Sequence, residues 1–368
     1  MNGIQNCLLL WVHLYLINFS RIAGNCRGNG LVNCACNFIG ACTYDASIRK
    51  FNPFTGTARD LRRYIPNVTP LAMTWPLTQS QITEICEPGE IGIIYDCKNR
   101  IPLMATIVMT ADQYRDLGYR RPPSNFRQSS NIANPDLQQN DDDYNDASNR
   151  IFCYESFNGN HYIDSKWYQA KRTQAIAPLT ACQNAGAPRK SPVHRGHLVA
   201  ASYGRGPPNL IRSVQTFVYT NAVPQFAGLN SGRWRIYESN LIKWANDNCG
   251  SSPLHVIVGC IPSTYPGNEQ RFFGKSGFSD FIGPSRLFPG GYEYRVNVPS
   301  YLWTAACCDL PSSRITRSTT FFAENLPRGF SRQSVELSNL FSAIGAHDID
   351  LFPGMDSCND DNNFVSIY

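Results

Sequence analysis

The sequence predicts an α+β fold, a central and mostly antiparallel sheet flanked by helices. Two observations carry that prediction. Apolar runs rich in β-branched residues recur at hairpin spacing, and helical periodicity is confined to short stretches between them.

Taken in chain order, the first element is the apolar run CLLLWVHLYLINF, from Cys7 to Phe19. It has the length of a signal-peptide core and is followed by the small residues Ser20, Ala23 and Gly24. Residues 1–24 therefore read as a cleaved signal peptide. The rival reading is an uncleaved anchor, because no Lys or Arg precedes the run. No later run is long enough to span a bilayer, so after signal cleavage no membrane association is expected. Residues 25–84 begin NCRGNGLVNCACNFIGAC and become Pro-punctuated, which suggests a small disulfide-stapled N-terminal region. Asn67-Val68-Thr69 is the one N-x-S/T sequon of the mature part and fits a glycosylated surface loop.

Residues 85–358 read as the main domain. IGIIYDC from Ile91, a turn at Lys98-Asn99-Arg100 and IPLMATIVMT have the spacing of a β-hairpin. The acidic cluster Asp141-Asp142-Asp143-Tyr144-Asn145-Asp146 lacks the glycine and distal glutamate of a calcium loop and reads as a solvated loop. Further strands are expected at Thr216–Thr220, Leu254–Cys260, Tyr292–Val298 and through Pro299 to Cys308. Ser334–Ile344 has helical spacing with Ser334 as N-cap.

The cysteines have one C-x-C and otherwise wide, irregular spacings, which favours disulfides in an oxidising compartment over zinc sites. The protein is thus expected to be secreted and extracellular. Signal cleavage removes Cys7 and Arg21, leaving thirteen cysteines and a net charge of +4 on 32 basic and 28 acidic residues. An odd count leaves one thiol over, and adjacent Cys307 and Cys308 are expected to pair elsewhere. A composition of 42% hydrophobic and 17% charged residues excludes wholesale disorder and coiled coil. The charge is too mildly basic for a polycation, so any anionic partner must be met by a local patch.

The chemistry concentrates in Val193-His194-Arg195-Gly196-His197, then Tyr219-Thr220-Asn221-Ala222-Val223-Pro224-Gln225, then Leu229-Asn230-Ser231-Gly232-Arg233-Trp234-Arg235-Ile236-Tyr237-Glu238. A helix over Asn230–Ala245 would align Trp234, Tyr237, Leu241, Trp244 and Ala245 in one apolar stripe, with Asn230 in that stripe and Glu238 roughly 80° round at its edge. An amide in an apolar stripe needs a partner. That partner is either a structural hydrogen bond or a hard cation, with Glu238 holding the cation's waters. One neutral ligand with a nearby carboxylate suits Mg²⁺, for which Mn²⁺ can substitute. Such an ion keeps several waters and takes further ligands from a substrate phosphate. A histidine beside it can take a proton from attacking water, and such a set hydrolyses phosphodiesters. Arg233 and Arg235, with Arg195, are candidates for binding the substrate phosphates, the bland alternative being solvated surface arginines. Arg189, Lys190, Arg205 and Arg212 are further basic residues near the site.

R-G-H, then T-N-x-x-P-Q, then L-N-x-G-x-W-x-x-x-E, in that order, resembles the DNA/RNA non-specific endonuclease family and its ββα-metal core, shared by secreted nucleases and endonuclease G. The resemblance is specific over about residues 190 to 240 and weaker over 85 to 355. It implies that His197 is the general base, that Asn230 is the direct metal ligand and that Glu238 binds the metal's waters. Arg195 would pair with that glutamate or with phosphate, and Asn221 would help to position base and substrate. The expected substrate is nucleic acid, DNA with RNA left open, cut to products carrying 5′-phosphates. His194 stands where the family's D-R-G-H has aspartate. That departure motivates the rival reading, a catalytically inactive extracellular binding protein on the same fold. A zinc enzyme using His194 and His197 is a third reading without an evident third ligand. The oligomeric state is not legible.

Overall fold

The computed structural model describes residues 26–57 (except 39 and 46), 60, 82–148 (except 117), 150–156, 163–169, 193–206, 211–263, 281–288, 292–308, 317–325, 332–333, 338–340, 350–352, 355–360 and 364–367. The signal segment, Asn67, Arg189 and Lys190 lie outside the described residues, as does most of the helix expected over 334–344, of which Ser338–Leu340 is helical.

In chain order the strands that frame the site are β1 (Ile82–Glu87), β2 (Ile91–Asp96), β3 (Ile101–Met109), β4 (Val193–His197), β5 (Ala222–Phe226), β6 (Leu254–Ile261), β7 (Tyr301–Cys308), β8 (Arg317–Glu324) and β9 (Arg332–Gln333). The helices are α1 (Ala111–Arg115), α2 (Asp141–Ser148) and α3 (Arg235–Asn248). Seven strands form one antiparallel sheet in the order β9-β8-β7-β6-β3-β2-β1. The chain leaves the sheet after β3 and re-enters beside it at β6. That excursion carries the separate antiparallel ribbon β4-β5 and then α3.

Strands β2, β3, β6 and β7 are buried at every position, because both faces of the sheet are covered. Alternate residues divide between the faces. Leu254, Val256, Val258 and Cys260 of β6 join Leu302 and Ala306 of β7 in a core with Tyr237, Leu241 and Ala245 of α3. Ile257, Ile261, Trp303 and Ala305 face the other way, against Leu31, Cys34, Ala35 and Phe38 of the Cys-rich segment. Gly259 lies opposite Trp303, and a Cβ there would stand 2.2 Å from the indole.

Disulfides bind that segment to the sheet. Cys26–Cys97 and Cys34–Cys86 tie it down and Cys36–Cys42 closes a loop within it, while Cys249–Cys308 and Cys307–Cys358 confirm that the adjacent pair bridges elsewhere. Cys260 is a free, buried thiol. Strand β1 runs across residues 84 and 85, so the expected boundary there falls within one strand.

Three expectations are corrected. The acidic cluster is not a solvated loop but begins α2. Asn140 and Asp143 exchange hydrogen bonds, each backbone N–H donating to the other's side chain at 2.9 and 3.2 Å, and carboxylates in a first turn favour a helix N-terminus. Asp143 is fully buried against the equally buried Arg100, Nη2 to Oδ2 2.9 Å. Thr216–Thr220 is not a strand. It joins the helix Ile211–Gln215 to a 3-10 turn at Tyr219–Asn221, and the Thr216 hydroxyl donates to the Ser213 carbonyl at 2.7 Å, closing the turn locally. Finally, the helix expected from Asn230 starts at Arg235. Leu229–Trp234 forms a wider π-type turn broken at Gly232 (φ −103°, ψ −106°), a backbone that the regular helical pattern cannot contain.

Candidate active site

The motif R-G-H is the second half of β4, and T-N-x-x-P-Q runs into β5. Their register pairs His194 with Gln225, Arg195 with Pro224, Gly196 with Val223 and His197 with Ala222. Gly196 is needed because the buried Gln225 side chain lies across it, and a Cβ would stand 1.9 Å from Gln225 Oε1. The motif glycine and the motif glutamine are therefore one packing unit.

His197 ends the ribbon at 7% exposure, its ring 4.7 Å from that of Phe126 and 4.5 Å from that of Phe217. Its Nε2 is buried without a hydrogen-bond partner among the described residues. Burial, and then the Arg121 guanidinium, pushes its pKa down to about 3, so the imidazole is neutral at physiological pH. The next residues are held by Asn221. Its Nδ2 donates to the carbonyls of Val199 and Thr216 at 3.0 and 2.9 Å, and its Oδ1 accepts from Val199 N at 2.9 Å. The amide is thus fully engaged by backbone, on the segment that follows His197.

Asn230, half-buried on the turn before α3, points its Nδ2 at His194 Nδ1, 3.2 Å away. His194 is itself partly buried, which lowers its pKa, as does Arg195. Glu238 lies in the first turn of α3, half-buried, and burial raises its pKa to about 8. The cation of Arg121, the Trp234 indole and Arg235 pull it back in that order, although the indole Nε1 makes no hydrogen bond of ordinary geometry. No hydrogen bond joins His197, Asn230 and Glu238 to one another among the described residues. What connects His197 with Glu238 is Arg121, an exposed guanidinium over the Phe217 ring, 4.9 Å from its centroid. The sequence reading missed Arg121. Its one signal was a basic pair, Arg120-Arg121, in a Pro-containing stretch distant from the motif.

Arg195 does not pair with Glu238. Its Nη1 meets Asp141 Oδ1 and lies 3.5 Å from the Tyr219 hydroxyl, which donates to the same carboxylate at 2.6 Å. Arg205 and Arg212 are engaged by the protein itself. Arg205 donates to the Ser202 and Asp116 carbonyls, and Arg212 to those of Gly89 and Val108 and to Gln113. Arg233 and Arg235 are exposed.

A half-buried amide and one carboxylate offer hard oxygen donors, and the described residues hold no group of three or more His, Cys, Asp or Glu arranged for a metal. Such a donor set fits a hard cation that keeps its waters and does not fit an all-protein cage. It also disfavours zinc, since His194 faces Asn230 while His197 packs between two phenylalanines. No helix among the described residues is long and apolar enough to cross a membrane.

Among solved structures, a chain of the EndoG/EndoGI complex, solved for the mechanism of EndoG inhibition, is 14% identical with a TM-score of 0.48, covering 80% of this chain and 94% of that one. No curated protein matches. The family model of DNA/RNA non-specific endonucleases matches residues 74–356, a span holding the whole sheet, the β4-β5 ribbon and α3. The chain therefore belongs to the DNA/RNA non-specific endonuclease family, metal-dependent nucleases whose substrate is nucleic acid.

Proposed function

We propose that this protein is a secreted, Mg²⁺-dependent endonuclease that hydrolyses the phosphodiester bonds of DNA without sequence preference, leaving 5′-phosphates. The observation that carries the reading is His197, a buried neutral imidazole whose Nε2 has no protein partner, at the end of the R-G-H strand.

Asn230 would hold the metal directly and Glu238 would hold its waters. When bound, the ion supplies charge stabilisation at the phosphoryl and leaving oxygens. His197 accepts the proton of the attacking water at Nε2. Phe126 and Phe217 pack against the ring and fix its orientation, and Asn221 holds the backbone that follows. Arg121 offers an exposed cation to a substrate phosphate beside the base. Contacts of this kind read the nucleic-acid backbone and no base edge, which gives cleavage without sequence preference.

The test is cleavage of matched duplex DNA, single-stranded DNA and RNA by the wild type and by His197→Ala, each with Mg²⁺ and with EDTA. The expected result is EDTA-sensitive cutting by the wild type and a loss of about 10²–10⁴-fold in a folded His197→Ala. Full activity of that variant would sink the assignment. The pairing of Arg195 with Asp141 and Tyr219 favours a second reading, an inactive binding protein on this fold. Absence of metal-dependent cleavage by folded wild type would support it.

A further inference from the structure

The family pattern does not account for His194, which stands where the motif has aspartate, yet the structure gives it a specific contact. The β4-β5 register sets His194 opposite Gln225, and the turn over Leu229–Trp234 brings Asn230 back onto it. Nδ2 of Asn230 lies 3.2 Å from His194 Nδ1, and the Ser231 hydroxyl lies 3.4 Å from the same nitrogen.

We propose that His194 is a positioning residue that fixes the orientation of the Asn230 amide, turning its carbonyl oxygen toward the metal. This rests on Asn230 being the metal ligand.

The physical reason is the symmetry of an amide. Its two ends are alike in size and opposite in polarity, and only the oxygen binds a cation. A flipped amide would present N–H to the ion. Both neighbours in this contact are nitrogens, so one must donate and the other accept. The amide nitrogen always carries hydrogens, so the lone pair belongs to His194 Nδ1 and its proton to Nε2. An acceptor at that place selects the NH₂ end of Asn230 and leaves Oδ1 on the other side. An ionised aspartate, which accepts and never donates, would make the same selection. The substitution of His for Asp thus preserves the hydrogen-bonding sense while changing the side chain.

The experiment compares the full, disulfide-bonded chain with His194→Ala, His194→Asp and Asn230→Ala. Mn²⁺ binding is read by the free-ion electron paramagnetic resonance signal, and cleavage is followed against Mg²⁺ concentration. His194→Ala is expected to weaken Mn²⁺ binding about 10–100-fold, as loss of a group that orients a metal ligand does, and to raise the Mg²⁺ needed for half-maximal cleavage by the same factor. His194→Asp should retain binding. Unchanged binding in His194→Ala beside weakened binding in Asn230→Ala overturns the proposal alone. Unchanged binding in Asn230→Ala removes the ligand assignment and the proposal with it. Near-UV circular dichroism checks folding, and if His194→Ala does not fold, His194→Asp decides: retained binding supports the proposal and lost binding overturns it.

Discussion

At the scale of single residues, the site is a contrast between groups that are committed to the protein and groups that are not. Asn221 has both ends of its amide on backbone, and Arg205 and Arg212 are tied to carbonyls. His197 Nε2 is buried without a hydrogen-bond partner among the described residues, and the exposed Arg121 guanidinium lies over the Phe217 ring. Arg121→Ala is expected to weaken DNA binding and to reduce the slope of log affinity against log salt by about 1, as loss of one phosphate contact does. The same variant should raise the pKa of His197, because the neighbouring cation is one of the two causes that lower it. A salt series of binding isotherms for wild type and variant checks the first, and histidine NMR titration checks the second. A salt slope identical to that of the wild type would remove Arg121 from the substrate path.

At the scale of elements, the ribbon is held from two sides. Buried Arg100 pins α2 through Asp143, which leaves Asp141, at the exposed start of the helix, to meet Arg195 and Tyr219. On the other side buried Glu87, at the end of β1, accepts from the Thr220 hydroxyl at 2.6 Å and from Asn131 Nδ2 at 2.8 Å, and so holds the turn that leads into β5. Asn29 of the Cys-rich segment donates to the Asn131 carbonyl, and Cys34 is bonded to Cys86, the neighbour of Glu87. The segment before the family match is thus joined to the strand beneath the site. Removing that bridge with Cys34→Ala and Cys86→Ala together should cost about 2–4 kcal/mol of stability, the usual range for a disulfide closing a loop of this size. Denaturant unfolding under oxidising conditions measures it, and an unchanged midpoint would show that packing alone holds the segment.

For the whole molecule, the buried sheet sets the response to acid. His255 of β6 is buried against the Cys-rich segment, where its Nδ1–H donates to the Asn37 carbonyl at 3.1 Å and its ring lies edge-on to Phe51. Burial lowers its pKa from 6.5 to about 4, partly offset by that hydrogen bond. Between those values the unfolded chain binds a proton that the folded chain does not, so this group's contribution to stability falls as pH falls through that window and is constant above it. One proton corresponds to about 1.4 kcal/mol per pH unit. His255→Gln should therefore be less stable than wild type at pH about 7.5, and the gap should narrow or reverse near pH 5. Urea midpoints at several pH values test this; a gap independent of pH would mean that His255 is not buried neutral. Asp96 and Glu238, whose carboxyls burial pushes upward, act in the opposite sense, so the comparison must be between variant and wild type and not of the wild type alone.

Much of this was legible beforehand. The runs IGIIYD, IPLMATIVM, LHVIVGCI and YLWTAACC are strands because a sheet covered on both faces needs continuous apolar sequence, and such runs mark themselves. The five-residue strands VHRGH and AVPQF carry histidine, arginine, glycine and proline in place of that signal, so they could be read as a motif and not as a ribbon. The spacing from Asn230 to Glu238 reads as a regular helix in the sequence and is not one, since Gly232 breaks it.

The sequence by itself determined the α+β class, the family and the separate pairing of Cys307 and Cys308. These depend on local pattern and on residue type, which are properties of the chain as written. Only the tertiary structure decided that Arg195 meets Asp141, that His194 meets Asn230 and that Arg121 stands by His197. The reason is that a long excursion between neighbouring strands β3 and β6 brings together groups far apart in the chain, and the partners of a side chain are set by packing and burial rather than by spacing.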